Sequence, residues 1–493
     1  MENEPPLDPL LEKAITCLKA GYFQGALPFC ETLERRGRKH RDAVRHVAWL
    51  ARVYLGGRHR DDALRMRGIA DTVSHLAGGQ GLIEAAILAV HAGRAEKVAI
   101  AIQRILDVAA TQSGVLITYH PTGLLESAEF ALHQLHDEAS ALKLINCALG
   151  FRGEFLVLQD VERLGRLLAQ ANAPLPLWAD WGGIFIRHTS FSMDRPRFLH
   201  EALNDQNAVR WATNQDAASE GVLRRTLAAG PPQLLRILMR LAPQLGRGGL
   251  ATILSERFSS TGGSHDAVSV NPLWLDPAVL KLRYFWYDML AEKERHLLRN
   301  ADWAMFATPT PDFSMALAQW WRLLESVLKR SLAKELASLF HAHPEWSDWD
   351  RNNLSERTRK REAVFVDKLA APDKWQRLTL GDLVLVMKKC LPGELTTVED
   401  AASGSRLRKE ATRFLNQHRE RFAPLVSDEW YSVAHLTDEN IDLFRNQSSH
   451  DKSTDIVDAS VGRLVGKRVL NMFFAPLLAQ WGFTPAIYVG IER

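Results

Sequence analysis

The chain has 493 residues, of which 46% are hydrophobic, 24% charged and 8% aromatic, and it carries a formal net charge of +3. These values are typical of globular proteins and exclude the disordered, collagen-like and disulfide-scaffold classes. The four cysteines are far apart and form no metal-type pair, so the sequence predicts a reduced cytoplasmic protein without a structural metal or a cofactor.

Residues 1–170 are predicted to form a helical-repeat region. Their first residues are acidic and contain prolines, unlike a secretory signal peptide. Apolar residues then recur at spacings of three and four, which predicts helices. A weak repeat is marked by Ala26, Ala63, Ala99 and Ala141, at spacings of 37, 36 and 42 residues. This pattern resembles tetratricopeptide-like helical pairs, in which a small alanine lets two helices approach closely. The alternative is an irregular alanine-rich helical domain.

Residues 171–311 are predicted to be a helical middle or linker region. Glycine and proline clusters at 230–232 and 246–249 indicate loops between short helices, and the Ser/Gly-rich stretch 259–264 is the strongest linker candidate in the first half. The break at 307–312 precedes a long helical pattern, so a domain boundary is predicted there.

Residues 312–493 are predicted to form a helical bundle, which makes the whole fold all-α. Ser314 is expected to cap a helix that runs to about His341, with leucines and tryptophans in one broad apolar stripe. The least polar segment, 469–490, is interrupted by polar residues and prolines, which indicates a buried helix and a tail rather than a membrane span. The spacing also predicts helices at 355–369, 379–391, 405–421, 437–442 and 455–479.

The most informative string in this domain is Arg445-Asn446-x3-His450. Histidine can serve as general base or acid because its pKa is near neutrality. Arginine is always charged, and its planar fork of donors can hold a phosphate and stabilise the charge that develops on it. The same Arg-x4-His spacing occurs elsewhere, for example at Arg413/His418, but only Arg445 is followed by asparagine. These residue types predict metal-free RNA cleavage.

This string, preceded by Leu-Phe and followed by a long helix, resembles the signature of the HEPN family of helical ribonucleases. Trp320-Trp321 and the turn Leu378 to Gly381 are similar to flanking patterns in HEPN domains of bacterial defence systems. The resemblance covers about residues 312–485. It implies a metal-independent endoribonuclease and a homodimer in which Arg445 and His450 of two subunits share one cleft. The products would carry a 2′,3′-cyclic phosphate and a 5′-hydroxyl, and Asn446 would position the other two residues.

Glu325 is a further candidate catalytic residue, because families of this kind sometimes place an acidic residue on the first bundle helix, where it could orient Arg445 or His450. The alternative is that Glu325 belongs to the solvated edge of that helix.

A basic run offers candidate RNA-binding residues within the same domain. It contains Arg357, Arg359, Lys360 and Arg361, and such residues supply most of the sequence-independent affinity for nucleic acids. The alternative is a solvated helix face. Two aromatic clusters, 284–287 and Trp346/Trp349, are interpreted as core or domain-interface anchors rather than base-stacking platforms.

The resemblance implies RNA as the substrate and antiviral defence, or a toxin that halts translation, as the setting. The N-terminal helical region would then bind a regulatory protein or a trigger, and no membrane partner is expected. A toxin masked by a separately encoded modifying partner is a further option. The competing hypothesis is a non-catalytic helical-repeat adaptor whose C-terminal bundle dimerises.

Overall fold

The computed structural model describes nine stretches of the chain and a few isolated positions between them. These stretches are residues 8–19, 23–36, 121–150, 158–189, 206–258, 271–306, 312–390, 404–418 and 453–474. This part is 85% helical and contains no strand, which confirms the predicted all-α class. None of its helices combines the length and the apolar character needed to cross a bilayer. The chain divides into two compact units, residues 1–285 with 483–493, and residues 286–482.

The described part of the first unit is helical. They are α1 (Pro9–Lys19), α2 (Phe23–Arg36), α3 (Pro121–His133), α4 (Glu138–Gly150), α5 (Leu158–Gln170), α6 (Leu175–His188), α7 (Gln206–Ala229), α8 (Leu234–Gln244), α9 (Gly248–Phe258), a 3₁₀ turn (Pro272–Leu275) and α10 (Pro277–Arg283).

Two helical pairs of this unit contain alanines of the predicted repeat. Helix α1 packs against α2, and α3 packs against α4. Ala26 and Ala141 are each the fourth residue of the second helix of their pair, and both are buried. A methyl side chain at this point allows close packing of the two helices. The repeat as a whole stays a prediction, because Ala63 lies outside the described residues.

Tryptophans of α6 occupy the core of the first unit. Helix α6 packs against α5 and α8, and Trp178 and Trp181 are both buried. Each indole N–H donates to a backbone carbonyl, from Trp178 to Ala173 at 3.0 Å and from Trp181 to Val161 at 2.8 Å. These bonds satisfy the polar edge that a buried tryptophan brings with it.

The second unit is also helical. It contains a 3₁₀ turn (Tyr287–Met289), α11 (Glu292–Phe306), α12 (Ser314–Leu328), a π-helical turn (Lys329–Ala333), α13 (Lys334–Ala342), α14 (Pro344–Asn353), α15 (Glu356–Arg361), a second π-helical turn (Val364–Leu369), a 3₁₀ turn (Lys374–Arg377), α16 (Leu380–Lys389), α17 (Arg406–Gln417) and α18 (Ile456–Phe474). It begins at residue 286, whereas the predicted nuclease domain begins at 312.

Helices α11, α12 and α18 form the core of the second unit. Helix α12 packs along both α11 and α18. The Trp286 ring meets that of Trp320 edge to face at 6.3 Å and stacks on Phe474 at 5.8 Å. The indole N–H of Trp286 donates to Asn471 Oδ1 at 2.7 Å. This aromatic cluster joins α18 to α12 and to the start of the unit.

Most predicted helices of this region are confirmed within a few residues. The helix predicted from Ser314 to His341 is α12 continued through the π-helical turn and α13 to Ala342. The helices predicted at 379–391 and 405–421 are α16 and α17, capped by Thr379 and Ser405. The second half of the predicted helix 355–369 is a π-helical turn, and most of 437–442 lies outside the described residues.

Two local predictions are wrong. Ser314 is the first residue of α12 and does not cap it, because the N-cap residue is Phe313; the carboxylate of Asp312, one residue earlier, accepts the Ser314 backbone N–H at 3.0 Å. The cluster 284–287 is buried as predicted, but Trp349 is 46% exposed and Trp346 is half-buried. Trp349 is therefore not a core anchor of its unit.

Candidate functional site

The predicted catalytic residues Arg445, Asn446 and His450 lie outside the described residues. Four residues after His450, however, the chain is tied to the start of α12. The Thr454 backbone N–H donates to Asp312 Oδ1 at 3.0 Å, and the Phe313 N–H donates to the Thr454 carbonyl at 2.9 Å. We call this arrangement the Asp312 anchor. It determines where the segment that follows the motif enters the bundle.

The hydrogen bonds of the Asp312 anchor also affect its electrostatics. Backbone N–H groups of Thr454 and Ser314 hold the pKa of Asp312 below its ordinary value of 3.8. The hydroxyl of Ser314 donates to the second carboxylate oxygen at 2.9 Å. Asp312 is thus an ionised acceptor at neutral pH, and charge-assisted bonds of this kind are stronger than neutral ones.

A buried polar row follows the anchor along α18. Ser460, Arg463, Lys467 and Asn471 recur at spacings of three and four residues, so they share one face of the helix, and all four are buried. Arg463 Nε lies 3.6 Å from Asp302 Oδ1 of α11, and neither side chain is exposed to solvent.

Aromatic rings complete the surroundings of Arg463. Its guanidinium carbon lies 5.4 Å from the centre of the Phe306 ring and 5.8 Å from that of Trp320. A buried charge is tolerated when it is paired, and cation–π contacts add to that pairing. The pair with Asp302 therefore sets the register of α18 against α11 and α12. The periodic polar residues in an otherwise apolar helix were the sequence signal that could have revealed this row.

Glu325 lies on α12 and forms an ion pair within its own helix. Its Oε1 accepts from Lys329 Nζ at 2.7 Å, and both side chains are about four-fifths buried. Eleven residues separate Glu325 from Ser314, which is about 16 Å along the helix axis. The structure therefore does not place Glu325 at the Asp312 anchor. Its orienting role toward the motif stays a prediction.

The predicted RNA-binding run forms the short helix α15, and all four basic side chains are exposed. Arg359 pairs with Asp367 at 3.2 Å and Lys360 with Glu356 at 2.9 Å. Arg357 makes no ion pair with any residue that the structure describes. Bound phosphate would have to compete with these carboxylates, although exposed pairs of this sort are weak.

A second exposed surface lies on the preceding helix, α14. The Trp349 indole is 46% exposed. One turn earlier, the His343 ring stacks nearly parallel on Trp346, with ring centres 4.0 Å apart and planes 9° apart. The guanidinium carbon of Arg406 lies 5.8 Å from the centre of the same Trp346 ring. Aromatic and basic groups therefore meet on one side of α14.

Helix α17 continues this surface with a basic stripe. Arg406, Lys409 and Arg413 are spaced by three and four residues, and all three are exposed. With Trp346 and Trp349 they make up what we call the α14–α17 surface. Sequence reasoning missed it, although the helical spacing of these basic residues within the predicted helix 405–421 was a usable signal.

Buried acidic residues hold this surface in place. Asp350 of α14 accepts the backbone N–H groups of Arg406 and Leu407 at 2.8 and 2.9 Å. Burial raises the pKa of Asp350 despite those bonds. Glu362 and Arg408 form a buried ion pair at 3.0 Å, and burial likewise raises the pKa of Glu362. These contacts fasten the N-terminus of α17 to its neighbours.

Metal-ligating groups and thiols are the other candidates for chemistry in the part of the chain that the structure describes. Within the described ranges, no group of three or more histidine, cysteine, aspartate or glutamate side chains could hold a metal ion. All four cysteines are buried. Burial raises the pKa of Cys147 and Cys390 to about 12, so both are neutral and poorly nucleophilic at pH 7.

In comparisons with protein-family models, curated proteins and solved structures, nothing matches this chain. Its function must therefore be inferred from its own residues and contacts. The two features that bear on function are the motif that precedes the Asp312 anchor and the α14–α17 surface.

Proposed function

We propose that this protein is a metal-independent endoribonuclease of the HEPN type. The observation that carries the proposal is the string Arg445-Asn446-x3-His450, placed four residues before the Asp312 anchor and followed by the long helix α18. A helical bundle that holds the chain directly after the motif supports the proposal, because catalytic groups need a rigid support.

The proposed reaction needs only groups that the motif supplies. A ribose 2′-OH loses its proton to His450 as its oxygen attacks the adjacent phosphorus, and the bond from phosphorus to the 5′-oxygen breaks. The leaving 5′-oxygen takes up a proton from a histidine in the acid form. Arg445 stabilises the charge on the phosphorane, and Asn446 positions both residues. The products carry a 2′,3′-cyclic phosphate and a 5′-hydroxyl.

The site is proposed to be composite. One chain supplies one Arg445 and one His450, so a homodimer through the C-terminal bundle brings two of each into one cleft. The helical N-terminal region, with its tetratricopeptide-like pairs, would bind a regulatory protein or a trigger. The proposed setting is antiviral defence or toxin action in the cytoplasm, with cellular or invading RNA as the substrate.

The proposal is tested by measuring the rate at which the full-length protein cleaves RNA in the presence of EDTA. We expect wild type to cleave and His450→Ala to lose cleavage by at least about a hundredfold, as for a general acid or base. His418→Ala is the matched control, because Arg413/His418 has the same spacing and His418 is exposed at the end of α17. Equal rates in wild type and His450→Ala, or cleavage in neither, would favour the adaptor hypothesis.

A further inference from the structure

We propose that the α14–α17 surface binds single-stranded RNA, with a base stacked on Trp349 and phosphates held by Arg406, Lys409 and Arg413. The choice of RNA as ligand rests on the proposed nuclease function. The surface contains none of the motif residues, so it would hold the substrate strand and take no part in bond breaking.

The exposure of Trp349 is the first observation behind this inference. Among the described residues, the exposed large apolar side chains are Trp303, Met315 and Trp349. Of these, only Trp349 has a partly exposed aromatic ring one turn away on its own helix, because Phe306, one turn from Trp303, is buried. That neighbour, Trp346, already has the His343 ring stacked on it at 4.0 Å. Stacking on aromatic side chains is sequence-tolerant, because every base has a π-face.

The charges on this surface favour a phosphate backbone. Arg406, Lys409 and Arg413 follow one face of α17, and exposed Arg351 of α14 has no ion pair with any residue in the described ranges. The nearby exposed or half-exposed acids are Glu345, Asp348 and Glu410, and Glu410 pairs with Arg413 at 3.2 Å. Asp350 is buried beneath the surface and already accepts two backbone N–H groups.

The apolar side chains of the α14–α17 surface are better suited to stacking with a nucleic-acid base than to packing against an acidic helical peptide. A helical peptide needs a groove lined by several aliphatic side chains. Here the inward-facing residues of α14 are Ser347 and Asp350, and the exposed apolar groups are indoles. Flat rings beside guanidinium groups are the usual components of single-strand binding surfaces.

Buried polar contacts join the two helices of the surface, and such preorganisation reduces the entropic cost of binding. Asp350 fastens the N-terminus of α17 to α14, and the buried pair of Glu362 and Arg408 fastens the next turn. Helices α14 and α17, which carry the rings and the basic stripe, are thereby joined before any ligand binds.

The experiment measures fluorescence anisotropy of a labelled single-stranded RNA of about 12 nucleotides, within the range of known site sizes. Full-length His450→Ala is the parent, so that the RNA stays intact. Adding Trp349→Ala should weaken binding by about fivefold to a hundredfold, the usual effect of removing one stacked base. Adding Arg406→Ala with Lys409→Ala should weaken binding and reduce its dependence on salt by roughly one phosphate contact for each residue.

Matched controls separate these effects from general changes in exposure and charge. Trp303→Ala removes an even more exposed indole, 58% exposed, from the same unit, and Lys293→Ala with Arg299→Ala removes two exposed positive charges of α11. Both controls should leave the affinity within about twofold. Duplex RNA of the same sequence should bind more weakly, because its bases are already stacked.

Several outcomes would overturn the inference: no measurable binding of single-stranded RNA, an affinity unaffected by Trp349→Ala, equal binding of duplex, or preferential binding of an acidic peptide. These outcomes are distinct from failure of the nuclease proposal. If wild type cleaves RNA while Trp349→Ala has no effect on binding, only the surface assignment fails. If wild type binds through this surface but does not cleave, the nuclease proposal fails and the surface assignment stands.

Discussion

Two helices of the second unit each carry a pair of tryptophans, and they differ in what covers them. Helix α12 lies between α11 and α18, and its Trp320 and Trp321 are buried. Helix α14 turns Ser347 and Asp350 inward and leaves Trp349 46% exposed. The same residue type thus packs a core in one helix and forms a surface in the other. Whether a tryptophan is buried or exposed therefore depends on the helices that pack against its own helix, and not on the composition of that helix.

The charged residues of the two regions differ in the same way. Arg463 on α18 is fully buried beside Asp302, whereas Arg406 and Lys409 on α17 face solvent. A buried charge has lost its hydration and depends on its partner, while an exposed charge keeps its hydration and can bind a ligand. Substitutions should therefore affect stability in the α11–α12–α18 core and binding on the α14–α17 surface.

The largest effect is expected from the buried ion pair. Asp302→Ala should lower the free energy of unfolding by about 3–5 kcal/mol, because Arg463 loses its buried acidic partner. Glu356→Ala removes the partner of Lys360 from an exposed pair and should cost no more than about 0.5 kcal/mol. Urea unfolding of the two variants measures the difference. Similar losses in both would show that the Arg463 pair is not effectively buried.

Truncating one tryptophan from each helix tests the comparison directly. Trp320→Ala should cost about 3–5 kcal/mol because it leaves a cavity in the core. Trp349→Ala should change stability by about 0.5 kcal/mol or less, as for most surface substitutions. Thermal unfolding checks both. A large loss in Trp349→Ala would mean that this indole packs in the core after all.

The Asp312 anchor connects stability with the proposed activity. Asp312→Ala should cost about 1 kcal/mol, typical of a lost capping acceptor, and should reduce RNA cleavage because only one of the two bonds that tie Thr454 to the start of α12 remains. Asp276 caps α10 in the first unit by accepting the Ala278 N–H at 2.8 Å. Asp276→Ala should cost a similar amount without slowing cleavage. Equal cleavage by the two variants would show that the Asp312 anchor does not support the catalytic site.

A smaller effect on the free energy of unfolding is expected at acidic pH, and its sign for Asp312 is opposite to its sign for Asp350. The pKa of Asp312 is lowered, so its stabilisation is complete above its ordinary value of 3.8 and is lost as the pH falls through its folded-state value. The pKa of Asp350 is raised, so its contribution is present at low pH and is lost as the pH rises.

From about pH 3 to pH 5, the free energy of unfolding should therefore rise less steeply in Asp312→Asn than in wild type, and more steeply in Asp350→Asn. Denaturant unfolding at several pH values measures the slopes. A change of slope in the same direction for both variants would contradict these assignments.

Local sequence patterns predicted the helices of the second unit well. The apolar stripe of α12 and the caps Thr379 and Ser405 depend on residues within one or two turns of each other. The role of Asp312 at the start of α12 was missed because Ser314, two residues later, was an equally good capping candidate by residue type.

Features that depend on distant residues could not be predicted in the same way. The exposure of Trp349 depends on which helices cover α14, and the pairing of Arg463 depends on Asp302 in another helix. The π-helical turns after α12 and α15 have no comparable local signal. For the motif residues Arg445, Asn446 and His450, which lie outside the described residues, the sequence is the only source.

The chemistry of the fragment ends tests the central claim most directly. Wild-type protein is incubated with a defined RNA in EDTA, and the ends of the fragments are analysed in parallel with those from Arg445→Ala and His450→Ala. We predict 2′,3′-cyclic phosphate and 5′-hydroxyl ends from wild type and no fragments from either variant. Fragments with 3′-hydroxyl and 5′-phosphate ends, or fragments that persist in His450→Ala, would contradict the account.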